Sequence, residues 1–234
     1  MHQVYDVIMD TSDQLPWERD PATQPIAQRI AAHTARRIVE KKLNAGELLT
    51  EKDLATSEGA SRTPAREAMV QLENWGLLTL MPKKGGLITS LDPDSVVDLI
   101  SLRTIFEVEA ARNLANHPQI LPQLGTELQA LLAAQREAAS ANDLLRFAES
   151  DYKFHARLIR SGNNALINKI LESLAPRVAR LTFHVALNNP ELIRKYLAEH
   201  EQLAHLALAG DVTGFATLAR SHVFEANFPL GRPL

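Results

Sequence analysis

From residue 92 onward the chain repeats apolar side chains at helical spacing almost without a break. Val96, Leu99, Phe106 and Ala110 fall on one face of a helix expected over 94–116. Further helices are expected over 120–140, 143–161, 164–187, 190–209 and 211–227, with a kink at Pro176. The separators His117-Pro118, Ala141-Asn142, Ser161-Gly162-Asn163, Asn188-Asn189-Pro190 and Gly210-Asp211 contain the residues that end helices. This part predicts an all-α helical bundle.

The first ninety residues follow a different pattern. Residues 1–24 show no sustained period, contain Pro16 and Pro21, and are expected to be a flexible tail, although Trp17 invites packing. Pro25 opens a helix with Ile26, Ile30, Ile38 and Leu43 on one side, ending near Asn44-Ala45-Gly46. Leu48 to Ala55 reads as a capped helix, and Glu58-Gly59 as a tight turn. A further helix starts at Ser61 or at Thr63, with Pro64 in its first turn. Ala65, Ala68, Met69 and Leu72 form its apolar face, and Gly76 ends it. Leu77–Met81 and Leu87–Thr89 read as two strands around the basic turn Pro82–Gly86. The expected fold is mainly α: a winged helix-turn-helix with a small β-hairpin wing over 25–91, the linker Leu91-Asp92-Pro93, and the helical bundle over 92–234.

Charge sharpens this division. The net charge is −3, yet residues 25–91 carry ten Lys and Arg against seven Asp and Glu. The cationic excess therefore coincides with the helix-turn-helix, where phosphate contacts would be needed. Arg62 and Arg66, four apart, share a face pointing away from the apolar one. An arginine there can donate two bonds to guanine, and a helix N-terminus can hold a phosphate; an ordinary solvated basic face is the alternative. No cysteine is present, so neither a disulfide framework nor a thiolate metal site is available. No apolar run approaches a membrane span, and a cytoplasmic location is expected.

The run Gly46-Glu47-Leu48-Leu49, Ser61-Arg62-Thr63-Pro64, Arg66-Glu67-Ala68, Gly76-Leu77 and Pro82 to Gly85 resembles the winged-helix signature of the GntR family of bacterial transcription regulators. Ala60, Ala65 and Met69 depart conservatively from the usual Val, Val and Leu. The resemblance implies a homodimer on a twofold-symmetric DNA operator. It also implies DNA contacts from Lys52, Arg62, Thr63 and Arg66 and a wing tip shaped by Gly85; Ser61 and Lys84 complete the expected DNA-binding set.

Polar residues inside the apolar stripes of the bundle carry a second chemistry. Asp151 interrupts the stripe Leu144, Phe147, Phe154, Leu158, and His155 lies one turn on. His200 falls among Ile193, Leu197, Leu203 and Ala207, and His222 follows Phe215 and Leu218. A lone core histidine is usually just hydrogen-bonded to a neighbour, and an unpaired buried carboxylate is costly. One carboxylate and three imidazoles on three helices suit a divalent transition metal, zinc first, nickel or manganese as alternatives. Arg103 sits in the first stripe with Glu107 four residues on, which suits either an intrahelical salt bridge or an arginine fork for a bound carboxylate. Arg177 is a weaker candidate of the second kind.

Asp151-x-x-Phe154-His155, Ser161-Gly162-Asn163, Glu199-His200, Gly210-Asp211 and His222 resemble the FCD effector domain of the FadR branch of that family. The resemblance implies a metal on Asp151, His155, His200 and His222 that helps hold a small organic acid through its carboxylate, and repression relieved by that acid. Two other readings compete. In a metal-dependent hydrolase the same four residues would activate a water, but no further acidic residue stands out as a base, and the DNA-binding half goes unexplained. In a DNA-binding protein with a purely structural metal, the coordination shell would be closed.

Overall fold

The computed structural model describes residues 13–227, with side chains through residue 224. The described residues divide into two compact units: one of residues 14–90 and 172–180, the other of residues 91–171 and 181–227 together with Asp13.

The first unit is built on three helices and a small sheet. Helix α1 (Ile26–Val39) buries Ile30, Ala31, Ala35 and Ile38. Strand β1 (Leu48–Leu49) precedes α2 (Glu51–Ser57) and α3 (Arg62–Asn74). Strands β2 (Leu78–Met81) and β3 (Gly85–Ile88) form the hairpin, and the antiparallel sheet runs in the order β1-β3-β2. Leu48 pairs with Leu87 and Leu49 with Gly86. The expected helix over 48–55 is therefore corrected: its first two residues join the sheet, and helix begins only after Thr50. The Thr50 hydroxyl accepts from the Asp53 amide while the Asp53 carboxylate accepts from the Thr50 amide, a reciprocal cap that sets this start. Of the two starts open for the next helix, Ser61 is the N-cap and Arg62 the first helical residue.

Ala65, Ala68, Met69 and Leu72 of α3 are buried against Leu54, Leu77, Leu78 and Ile88, so the apolar face read from the sequence is the packed one. Gly85 has φ of +111°, and a Cβ there would lie 2.2 Å from the Leu49 carbonyl oxygen. Only glycine lets β3 approach β1 that closely.

The expectation of a flexible tail over 1–24 is corrected for residues 13–24; residues 1–12 lie outside the described residues. Pro16–Glu18 form a 3-10 turn in which the Glu18 carboxylate accepts from the Leu15 amide. Leu15 is fully buried and Trp17 packs against the core of this unit. A segment without period thus anchors through two apolar side chains, too few to register as a repeat.

The second unit consists of α4 (Pro93–Ala115), α5 (Leu121–Ser140), α6 (Leu144–Ser161), parts of α7 (Ala165–Asn188), α8 (Ile193–Ala209) and α9 (Val212–Asn227). Asp92 caps α4 by accepting from the Ser95 amide, and Asp143 caps α6 by accepting from Arg146. Leu124, Leu128, Leu131, Phe154, Leu158, Leu203 and Phe215 interdigitate as its core. α7 runs continuously past Pro176. Its middle, residues 172–180, belongs to the first unit, where buried Arg180 donates to the Thr89 carbonyl at 2.8 Å and to its hydroxyl at 3.2 Å.

Candidate DNA face and metal centre

In the first unit one open cleft is lined by Lys52 of α2, Arg62, Arg66 and Val70 of α3, and Lys83, Lys84 and Gly85 of the wing turn. The α3 register explains it. Burying Ala65, Ala68, Met69 and Leu72 leaves Arg62 and Arg66 on the opposite ridge, and both are exposed. Arg66 has its nearest acidic partner, Glu51, at 3.9 Å with both side chains in solvent, a pairing worth little and easily exchanged for a phosphate or a base. The cleft brings together Lys52, Arg62, Arg66, Lys84 and Gly85 of the expected set. Ser61 and Thr63 are exposed at the start of α3, outside the cleft lining.

In the second unit the four residues picked from the stripes of three helices converge. Ligand atoms of Asp151, His155, His200 and His222 all lie within 4.8 Å of one another, and all four residues are buried. The Nε2 atoms of His155 and His222 each stand 3.1 Å from Nε2 of His200. The Asp151 Oδ1 is 3.2 Å from His200 Nε2 and 3.9 Å from His155 Nε2.

Two of the imidazoles are hydrogen-bonded from behind, and the third stands beside a carboxylate. Nδ1 of His200 faces Gln135 Oε1 at 2.7 Å, and Nδ1 of His222 faces Glu199 Oε2 at 2.7 Å. Nδ1 of His155 is 2.9 Å from Glu107 Oε1, close but off the hydrogen-bond line. Gln135 Oε1 and the Glu199 carboxylate are acceptors, so Nδ1 of His200 and Nδ1 of His222 can donate to them, which turns the Nε2 atoms of those two rings inward. Thr182 donates its hydroxyl to Asp151 Oδ2 at 3.3 Å, fixing the carboxylate.

Three ring nitrogens and a carboxylate gathered at one point could together hold a cation. Burial alone would raise the Asp151 pKa, but the His200 hydrogen bond and the neighbouring His155 and Arg103 outweigh it and hold the carboxyl below its usual range. Burial and the Arg103 charge press His155 well below its ordinary value, and burial lowers His222 although Glu199 opposes it. With a metal–nitrogen bond of about 2.0–2.1 Å, ligand angles between octahedral and tetrahedral place nitrogens about 2.9–3.4 Å apart, which includes the spacing seen. Three nitrogens and one oxygen are a borderline-to-hard donor set suited to zinc, nickel or manganese.

Arg103 reaches the edge of this cluster. Its Nε donates to Glu107 Oε1 at 2.8 Å, the intrahelical pair that the sequence allows. Its Nη1 lies 3.8 Å from Asp151 Oδ2, and its Nη2 is buried without a partner. A cavity of about 20 Å³ is lined by Arg103, Asp151, Thr182, Tyr196 and His222. Arg177 does not join: it lies in the first unit, against Gly76.

Comparison with known proteins places both halves. Residues 26–88 match the model of the bacterial regulatory proteins of the gntR family, and residues 98–225 match the FCD domain. The chain belongs to the GntR family. It is 30% identical over 189 residues to an HTH-type transcriptional regulator in an unstable DNA locus of Streptomyces ambofaciens, covering 80% of this chain and 77% of that protein. It is likewise 30% identical to the HTH-type transcriptional repressor RspR of Escherichia coli, covering 75% and 77%. The structure of E. coli McbR/YncC matches with a TM-score of 0.73 at 20% identity over 87% of this chain and 95% of that one, which bears on fold alone.

GntR proteins are DNA-binding transcription regulators and not enzymes, which disposes of the hydrolase reading. The winged helix-turn-helix followed by a helical domain is the architecture of this family. Among the described residues no helix is long and apolar enough to cross a membrane. Three residues that complete the FCD cluster, Gln135, Thr182 and Tyr196, were not singled out from sequence. For Gln135 a signal existed: it follows Leu124, Leu128, Leu131 and Leu132 along the buried stripe of α5 and is itself fully buried. Thr182 and Tyr196 are ordinary residues in their helices and give no such signal.

Proposed function

We propose that this GntR regulator is a repressor whose operator affinity is set by a small carboxylic acid bound beside a metal ion in the FCD domain. The observation that carries this reading is the convergence of three imidazole rings and the Asp151 carboxylate, with Gln135 behind His200, Glu199 behind His222 and Glu107 beside His155. Asp151, His155, His200 and His222 would hold the ion, which supplies a positive charge for an anionic ligand. Arg103 supplies the second charge: its Nη2 is buried without a partner, the residue lines the small cavity beside Asp151 and His222, and a carboxylate oxygen there would satisfy it.

The cavity beside Arg103 holds about one water, so a di- or hydroxy-carboxylic acid enters only as neighbouring side chains move. That requirement suits a regulator, because a ligand shifts an equilibrium only as far as it prefers one arrangement over another. In the DNA-binding unit, Lys52, Arg62, Arg66 and Lys84 would contact the duplex, with Ser61 and Thr63 at the α3 start binding phosphate and Gly85 shaping the wing. A homodimer presents two such faces to a twofold-symmetric operator.

The test measures metal content of the purified chain, then melting temperature against a panel of small organic acids with and without zinc, nickel or manganese. About one ion per chain, and an acid that stabilises only the metal-loaded protein and releases it from DNA, is expected. Arg103→Ala should keep the ion and basal DNA binding and lose the response. A chain that takes up no metal, or an Arg103→Ala protein released at the same acid concentration as the parent, refutes the scheme. Stabilisation by metal but by no acid favours the structural-metal reading.

A further inference from the structure

Val70 is the one apolar side chain of α3 left exposed, at 44%, while every other apolar residue of that helix is buried or half-buried. It follows Arg62 and Arg66 at intervals of four and so stands on the same ridge, lining the same cleft as Arg66, Lys52 and Lys84. A single exposed valine elsewhere would be unremarkable. Here it stands among cations, on a helix where a β-branched residue in solvent lowers helix propensity. Its packing does not explain it, since the buried face is complete without it through Met69 and Leu72.

We propose that Val70 reads the C5-methyl group of a thymine in the major groove. The inference rests on the placement of the DNA face along α3. In that groove thymine alone presents a methyl group, and an apolar side chain is what recognises it. Arg66 reads a guanine through hydrogen bonds, whereas Val70 excludes water from a methyl and therefore discriminates by contact alone. Four residues advance a helix about 6 Å, close to two base-pair steps of about 3.4 Å each, so the thymine lies about two base pairs from the base that Arg66 reads.

The test uses the full-length protein and a randomised duplex library to select a binding site. Each thymine of that site is then replaced by uracil, which differs only by the methyl. One position in each half-site should weaken parental binding about fourfold, the worth of one methyl group removed from water. Val70→Ala, at an exposed helical position, should fold as the parent does and bind the thymine and uracil sites equally. That position should lie about two base pairs from the one whose preference relaxes in Arg66→Ala. A parent indifferent to uracil at every position, or a Val70→Ala protein that still discriminates, overturns the role of Val70. If the parent selects no site at all, the α3 face falls with it.

Discussion

The two functional regions of this protein are built in opposite ways. The proposed DNA face is exposed, cationic and drawn from one short stretch, Lys52 to Gly85, on two helices and a turn. The FCD cluster is buried and drawn from residues scattered between Arg103 and His222 on six helices. On the face each cation stands in water and contributes little to the fold. In the cluster every group is another's hydrogen-bond or charge partner, so function and stability are the same contacts. Substitutions should therefore separate binding from folding at the first and fail to separate them at the second.

The largest effect is expected at His200, which touches His155, His222, Asp151 and Gln135 at once and is fully buried. His200→Ala should abolish metal uptake and cost about 2–4 kcal/mol, by emptying volume and stranding Gln135 and Asp151. Elemental analysis and a melting curve read both; loss of metal with an unchanged melting temperature would break the comparison. On the face, Arg66→Ala should cost about 1–3 kcal/mol of specific affinity for each lost bidentate pair while leaving the melting temperature unmoved. A gel shift with the selected site, beside a thermal melt, decides it.

Glu199→Leu and Gln135→Leu probe the layer behind the candidate ligands. Each should weaken metal affinity about 10- to 100-fold without removing a ligand, because the imidazoles lose the acceptors that orient them; zinc competition against a chelator measures this. The smallest effect belongs to Lys84→Ala in the wing turn. It should weaken binding to all sequences alike and lower the salt slope by about one phosphate contact. A change in sequence preference would instead make Lys84 a base reader.

The DNA half was legible because its signals are local. Pro64, the spacing of Ala65, Ala68, Met69 and Leu72, and Gly76 define α3 within a dozen residues, and the side of the helix that carries Arg62 and Arg66 follows from that register. What local reading got wrong there was also physical. Leu48 and Leu49 are apolar enough to start a helix, but their backbone groups pair with β3, a partner nearly forty residues away. Leu15 and Trp17 looked like parts of a tail because two anchoring side chains make no period.

In the bundle, a polar residue inside an apolar stripe was enough to mark Asp151, His155, His200 and His222, since burying a polar group without a partner is costly and such a residue implies one. That argument supplies the need for a partner and not its identity. The sequence by itself determined the two-part organisation, the face of α3 that meets solvent and the four inward-pointing ligand candidates, because each depends on helical periodicity within one element. Only the tertiary structure decided that the Nε2 atoms of His155 and His222 each stand 3.1 Å from that of His200, that Gln135 and Glu199 stand behind two of the rings, and that Arg103 joins them while Arg177 does not. Those outcomes depend on how separate helices cross, and crossing geometry follows from packing between elements that no periodicity within a single helix encodes.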